Sequence, residues 1–425
     1  MNEKQHAINW FRDSSPYINA HRGKTFVIIL GGDALASENL SNIISDITLL
    51  NSLGIRLILV HGAMKQIKER TATGNHSLTD HQGRHIVLPE MLAGCTETIS
   101  ALKAGIEAQL SKGLTNSPMH GADLLVTSGN FVKAKPLGII DGIDHHHSGS
   151  VRRINKQAIS QQLDSGAIVL QSPLGYSLTG EIFFLEEHEL GVAIAIAMRA
   201  EKLIIFSESP IHDAQGNIVT EVQTDDMNDA NPLLQNLKTA CEQGVNRGHI
   251  ISHSRDGAIL EELFTRDGSG TQVTRQSYEQ IRKAVADDVA GILALISPLE
   301  TEGVLVRRPR ELLESEINHF TVIERDGLIV GCAALYPFSG KGELACLATH
   351  PEYRNDARGD LLLRSITSQA LAEGLESLFV LTTQTIHWFI ERGFCEQSIE
   401  DLPDVKKATY NYQRNSKLLE KPISN

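Results

Sequence analysis

The segment Glu343-Leu344-Ala345-Cys346-Leu347-Ala348-Thr349 alternates like a strand and runs through His350-Pro351-Glu352-Tyr353-Arg354-Asn355-Asp356-Ala357-Arg358 into a helix start at Gly359. Consecutive backbone N–H groups at a helix N-terminus have no intrahelical acceptor, and the positive end of the helix dipole lies at the same place. A strand-loop-helix junction of this kind can therefore hold a pyrophosphate. Glu343 opens the strand on the same face as Leu347 by the period of two, and spacing alone leaves it either a base or a solvated strand-end carboxylate. Further on, the alternation from Tyr410 to Leu418 predicts a final strand with Tyr410, Tyr412, Arg414 and Ser416 on one face. An arginine and a serine on one wall can hold a carboxylate by charge-assisted hydrogen bonds.

Two sets of elements position these residues. Thr25 to Leu30 and Arg56 to Val60 are apolar and β-branched, end in Gly31-Gly32 and His61-Gly62, and flank a helical stretch from Asn39 to Leu53. Leu124 to Val126, Ala167 to Leu170, Leu203 to Phe206 and His249 to Ser252 continue the rhythm, with a helix over Glu187 to Ala200, so the first part reads as an α/β, doubly wound, mostly parallel sheet. The polar stretch Thr271 to Arg282 reads as the boundary, giving domains 1–275 and 276–425. Beyond it the order is helix, helix, hairpin turning at Asp326-Gly327, strand, helix Gly359 to Ala372, strand Leu378 to Thr382, short helix Thr385 to Arg392 and final strand. That order fits an α+β domain on an antiparallel sheet.

The 425 residues carry 39 basic and 52 acidic side chains, a net charge of -13 that argues against a nucleic-acid partner. No stretch is long and apolar enough to suggest a membrane span, and the five scattered cysteines form no CxxC pair, so a reducing cytoplasmic setting without a zinc site is expected. His145-His146-His147 reads as solvated loop histidines, and no metal is expected.

The C-terminal order of elements, with Arg354, Ala357 and Gly359 in the slots of an Arg/Gln-x-x-Gly-x-Gly/Ala loop and Glu391-Arg392-Gly393-Phe394 closing the last helix, resembles the GNAT acetyltransferases. The resemblance implies acetyl-CoA as co-substrate. It would be held by Leu347, Ala348 and Thr349 of the strand and by Arg354, Asn355, Asp356, Ala357, Arg358 and Gly359 of the loop. It also implies Glu343 as base, through a water, for an incoming amine. The tyrosine that many of these enzymes use as general acid is Phe389 here, which leaves His387, a tyrosine of the final strand, or departure of coenzyme A as thiolate. Arg307-Arg308 falls where this fold places its acceptor wall; with Thr382, Arg414 and Ser416 it suits an acceptor with two carboxylates.

The N-terminal turns resemble the amino-acid kinase family, but the lysine of its Lys-x-Gly-Gly turn is Ile29, and its Thr-Asp-x-x-Gly segment reads Ser207-Glu208-Ser209-Pro210, so phosphoryl transfer is not expected. A kinase-like domain fused to a GNAT domain resembles the bacterial N-acetylglutamate synthase family, and Leu378-Phe379-Val380-Leu381-Thr382-Thr383 and Asn411-Tyr412-Gln413-Arg414 carry that likeness. It implies L-glutamate as acceptor, the first step of arginine biosynthesis, and feedback inhibition by L-arginine. The inhibitor would be held by Tyr17, His249, Glu262, Gly268 and Gly270. Ala7 to Tyr17 resembles the interlacing N-terminal helix of hexameric arginine-sensitive kinases, ending at Pro16, so a homohexamer is the implied assembly. The alternatives are an acetylglutamate kinase, which Ile29 opposes, and an arginine sensor without catalysis, which Phe389 favours.

Overall fold

Thr25–Leu30 (β1) is buried because its side chains alternate between two apolar clusters. Phe26, Ile28 and Leu30 pack with Ile44, Ile47 and Leu57, whereas Val27 and Ile29 pack with Leu190 and Ile194. A strand covered on both faces must be apolar throughout, which is why this one shows no polar alternation. The computed structural model describes residues 3–72, 79–112, 121, 123–227, 231–265, 267–275, 279–325, 327–351, 358–408, 410–412 and 414–423. The chain divides into two units, Met1–Gln276 and Ser277–Asn425.

In the first unit β1 is joined in one sheet by Arg56–His61 (β2), Val126–Thr127 (β3), Ile168–Gln171 (β4), Lys202–Ser207 (β5), Glu221–Gln223 (β6), Arg247–Ser252 (β7) and Thr271–Thr274 (β8), in the order β6-β8-β7-β5-β1-β2-β4-β3. Only the β7–β8 pairing is antiparallel, so the sheet is doubly wound and mostly parallel, as the sequence leads one to expect. A second sheet of four short strands, Val132–Pro136, Gly149–Ile154, Leu174–Tyr176 and Ile182–Phe184, has no counterpart in the sequence reading. Three helices matter below: Glu3–His21 (α1), Glu187–Met198 (α2) and Ala258–Phe264 (α3).

Pro16 does not end α1; the helix continues to His21. Proline in a helix interior removes one hydrogen bond and costs about 3 kcal/mol, but docking onto α3 holds both sides of the break. Ser14 Oγ donates to the Phe264 carbonyl at 3.1 Å, and His21 Nε2 lies 3.0 Å from the Leu263 carbonyl. The histidine triplet also departs from expectation. His145 is fully buried, with Nδ1 3.1 Å from the Ile143 carbonyl and its ring 5.3 Å from that of His81, while His147 is half-buried and only His146 is exposed.

In the second unit seven strands run in the order β9-β10-β11-β12-β13-β15-β14: Glu279–Lys283 (β9), Phe320–Arg325 (β10), Leu328–Phe338 (β11), Lys341–Thr349 (β12), Ser377–Thr382 (β13), Cys395–Gln397 (β14) and Lys417–Pro422 (β15). All pairings are antiparallel except β12–β13. Val289–Thr301 (α4) and Arg310–Glu316 (α5) cover one face, Arg358–Ala372 (α6) the other, and Ile386–Ile390 (α7) and Asp404–Lys407 (α8) are single-turn pieces. The stretch read as the domain boundary, Thr271 to Arg282, is strand at both ends: β8 in the first sheet and β9 on the edge of the second. β9 is polar because an edge strand tolerates polarity, whereas β8 lies between β6 and β7 with Thr271, Val273 and Thr274 buried.

The terminal strand is also displaced. The described residues 410–412 and 414–416 are not strand, with Asn415 in the left-handed region at φ 51°, and the strand begins only at Lys417. Asparagine accepts that conformation more readily than most residues. The loop is fixed by Tyr410, whose hydroxyl donates to the Ser416 carbonyl at 2.6 Å.

Candidate active site

β12 and β13 pair only from Lys341 to Glu343 against Ser377 to Phe379, so beyond Glu343 that edge of β12 has no strand partner. Such a splay exposes backbone amides in the middle of a sheet. On the other edge, a bulge sets Cys346 and Leu347 against the single residue Ala333, with Cys346 at φ 51°. A left-handed non-glycine residue costs on the order of 1–3 kcal/mol and persists only where its surroundings impose it.

The bulge reverses the strand's parity. Leu344 packs toward α6 and Cys346 and Ala348 toward α4, while Leu347 joins the α6 side. Glu343 lies opposite Tyr336, which packs on the α4 side, so Glu343 shares its face with Cys346 and not with Leu347. Strict period-two counting fails here because a bulge inserts one residue.

Glu343 is 6% exposed. Lys406 of α8 places Nζ 2.7 Å from its Oε2. Arg308, in the loop between α4 and α5, adds a second positive charge, and its backbone N–H donates to Glu300 at 2.8 Å. Burial works against the Arg308 charge, but Cys346, Tyr336 and Glu343 together outweigh it and hold the guanidinium protonated more firmly than usual. Burial pushes the Cys346 thiol up to about 11 against the opposing pull of Arg308. It also raises the Tyr336 phenol, whose hydroxyl donates to Glu316 at 2.6 Å.

Arg414 reaches the same neighbourhood. Its guanidinium donates to the carbonyls of Val304 and Gly303, and burial together with the charge of Arg308 holds its pKa below the ordinary arginine value. Two half-buried guanidiniums close enough to repel, neither ion-paired among the described residues, form a locus of positive potential that an anion relieves. Arg307, chosen from sequence, is exposed; its neighbour Arg308 is half-buried and within electrostatic reach of Glu343. Sequence offers no means of choosing between adjacent arginines in a loop. Ser416 is buried beside Arg414, and Thr382 is buried with Oγ1 2.9 Å from that of Thr385. Lys406 went unnoticed as one lysine of a Lys-Lys pair.

Leu347 and Thr349 are half-buried on the open edge of β12, and Ala348 is buried. Arg354, Asn355, Asp356 and Ala357 lie outside the described residues. Arg358 turns its buried guanidinium to Glu279 of β9, at 2.8 Å from Nε to Oε1. A Cβ on Gly359 would come within 2.9 Å of Trp388, which places the indole against the start of α6. His387 is exposed, whereas Phe389 is buried against Phe394 with ring centroids 5.3 Å apart.

The first unit holds a second polar cluster. Glu262 of α3 accepts from His249 Nδ1 at 2.6 Å and from the backbone N–H groups of Ser269 and Gly270, each at 2.8 Å. Gly268 has φ +66°, and a Cβ there would sit 2.5 Å from Glu262. Lys202, which sequence reading passed over, lies 3.1 Å from His249 Nε2 and is itself buried. Burial and Lys202 lower the His249 pKa to about 4, against the pull of Glu262. The hydrogen bonds from His249, Ser269 and Gly270 hold the Glu262 carboxylate below its usual range despite burial. Tyr17, half-buried on α1, packs on the cluster that contains Leu263 and Phe264.

Residues 24–252 match the amino acid kinase family and residues 316–396 the acetyltransferase (GNAT) domain. The amino-acid acetyltransferase of Pseudomonas fluorescens SBW25 is 48% identical over 98% of this chain and 99% of its own length. That of Enterobacter sp. 638 is 49% identical over 97% of each. The crystal structure of N-acetylglutamate synthase from Neisseria gonorrhoeae, complexed with coenzyme A and L-arginine, is 34% identical over 98% of this chain and 99% of that one, with TM-score 0.91. The same enzyme with coenzyme A and N-acetyl-glutamate gives 0.63 over the same shares. Likeness of this extent, carried by both the kinase-like sheet and the splayed acetyltransferase sheet, makes the chain a member of the amino-acid acetyltransferase family.

Proposed function

We propose that the protein transfers the acetyl group of acetyl-CoA to the α-amino group of L-glutamate, and that arginine inhibits it. The observation that carries this reading is the pair Arg308 and Arg414 on the Glu343 side of β12, beside the edge left open by β13. Glutamate presents an amine between two carboxylates. The side-chain carboxylate meets the two guanidiniums and the Ser416 side of the loop, which orients the amine toward Glu343.

Glu343 takes a proton from the acceptor's ammonium through a water; the freed amine attacks the thioester carbon. Backbone N–H groups on the open edge of β12, at Leu347 and Thr349, meet the oxygen that becomes negative, each well-placed donor supplying about 3 kcal/mol. The C–S bond breaks, coenzyme A leaves as thiolate, the amide nitrogen gives its second proton to solvent water, and Glu343 returns the first proton to solvent. The thiolate takes its proton from solvent, since Phe389 has none and His387 stands exposed on α7. Lys406 fixes the carboxylate that does this work.

For regulation, the Glu262 cluster is the arginine site. Glu262 has both oxygens engaged, so its part is to hold the Gly268–Gly270 loop whose carbonyls would meet a guanidinium, with His249 and Lys202 at one end and Tyr17 of α1 near the same helix. The neighbour bound to coenzyme A and L-arginine supports this assignment. A hexamer built through α1 fits its exposed apolar residues, Ile8, Trp10 and Phe11. Mass spectrometry of a reaction containing acetyl-CoA and glutamate tests the central step. N-acetylglutamate with equimolar free thiol is expected, and thiol release without acetylated glutamate would overturn the reading.

A further inference from the structure

At the carboxyl ends of the neighbouring parallel strands β1 and β2, the turns Gly31-Gly32 and Gly62 close around one carboxylate. Glu187, at the start of α2, is 8% exposed, and its Oε2 is buried without a hydrogen-bond partner among the described residues. The close fit is measurable. A Cβ on Gly62 would fall 2.8 Å from Glu187 Oε1 and 2.9 Å from the Gly32 nitrogen.

Gln66 lies at the Gly32 turn. Its amide nitrogen donates to the Gly32 carbonyl at 2.8 Å, and its Oε1 is likewise buried and unpartnered. A Cβ on Gly32 would lie 2.9 Å from that oxygen. One turn along α2, Gly191 admits the side chain of Ile29, the residue in the place of the kinase family's lysine; a Cβ on Gly191 would be 2.3 Å from it. A lysine there would have met the crevice with a positive charge, and isoleucine brings none.

The surrounding charges are already matched. Asp33 pairs with Lys65 at 3.1 Å, Glu186 meets His85 at 3.0 Å, and Glu189 accepts from Arg84 at 3.1 Å. Glu187 alone has no ion-pair partner among the described residues. Burying a carboxylate without a counter-charge is costly, and unpartnered acceptor oxygens at the two adjoining glycine turns call for a donor or a cation. The donor set is all oxygen, which suits a hard cation and not a transition metal, and it carries a single full charge where divalent sites gather several carboxylates.

We propose that Glu187 and Gln66, at the Gly31-Gly32 and Gly62 turns, bind a monovalent cation, potassium or ammonium, in the crevice where the kinase-like fold would otherwise hold an anion. The test is thermal unfolding of the full chain at constant ionic strength in the chlorides of potassium, ammonium, sodium and tetramethylammonium. Potassium or ammonium should raise Tm over tetramethylammonium, increasingly with concentration, and Glu187→Gln, which supplies its own N–H, should abolish that rise. Equal Tm in all four salts would mean that water or a proton alone satisfies the carboxylate, and would overturn the proposal. A potassium effect that survives in Glu187→Gln would overturn it as well. If the variant does not fold, wild-type crystals soaked in rubidium or thallium salts decide: an anomalous peak at the Glu187 carboxylate beside the Gly32 and Gly62 turns supports the site, and its absence refutes it.

Discussion

Glu343 and Cys346 share one face of β12 although three positions separate them, because the bulge at Cys346 and Leu347 reverses the alternation between the two. That geometry gathers Glu343, Tyr336, Arg308 and Cys346 on the side facing α4, while Leu347 goes to the other. Glu343→Gln should therefore lower kcat by about 100-fold or more, the usual scale for a positioned base. Activity should recover in part at high pH, where more of the acceptor amine is already neutral. A pH–rate profile unchanged from wild type would remove Glu343 from the chemistry.

Adjacent arginines should behave differently. Arg308→Ala should raise the glutamate KM or abolish turnover, with acetyl-CoA affinity intact by calorimetry, since a hydrogen bond to a charged partner contributes about 1.5–3 kcal/mol. Arg307→Ala, at an exposed position, should stay within about twofold of wild type. The reverse order of effects would put Arg307 on the acceptor wall.

Glu262→Ala should keep turnover and lose arginine sensitivity, because it frees the Gly268–Gly270 loop and His249 together. Inhibition curves against arginine at fixed glutamate check this. A variant still fully inhibited, or arginine competing with glutamate in wild-type kinetics, would contradict a separate site.

Three buried histidines make the first unit acid-sensitive. Burial lowers His21 to about 3 and His61 and His249 to about 4, so the folded chain resists protons that the unfolded chain takes up near 6.5. Their neutral-state stability is present above pH 6.5 and is lost as pH falls from there toward 4. Tm followed by calorimetry between pH 7 and about 4.5 should fall, and His21→Asn should flatten the slope.

The parallel sheet was legible because strands buried on both faces must be continuously apolar, and β1 spans Thr25–Leu30 in both readings. Of the residues singled out for chemistry, the structure places Glu343 buried at the start of β12 and gathers His249, Glu262 and the Gly268–Gly270 loop into one cluster. What escaped depends on contacts across the chain: the bulge that moves Glu343 to the Cys346 face, the Asn415 turn that turns a predicted strand into a loop, and which of two adjacent arginines is the more buried. Pro16 inside α1 is the same lesson, since docking on α3 outweighs a local helix-breaking preference.

The most direct measurement is initial-rate coenzyme A release with glutamate and with glutamine as acceptors, each at several concentrations. The two differ only in replacing a carboxylate by a neutral amide, so a site built around Arg308 and Arg414 should favour glutamate in kcat/KM by about 10-fold to 100-fold, from losing about 1.5–3 kcal/mol of charge-assisted contact. Equal kcat/KM for the two would contradict the account.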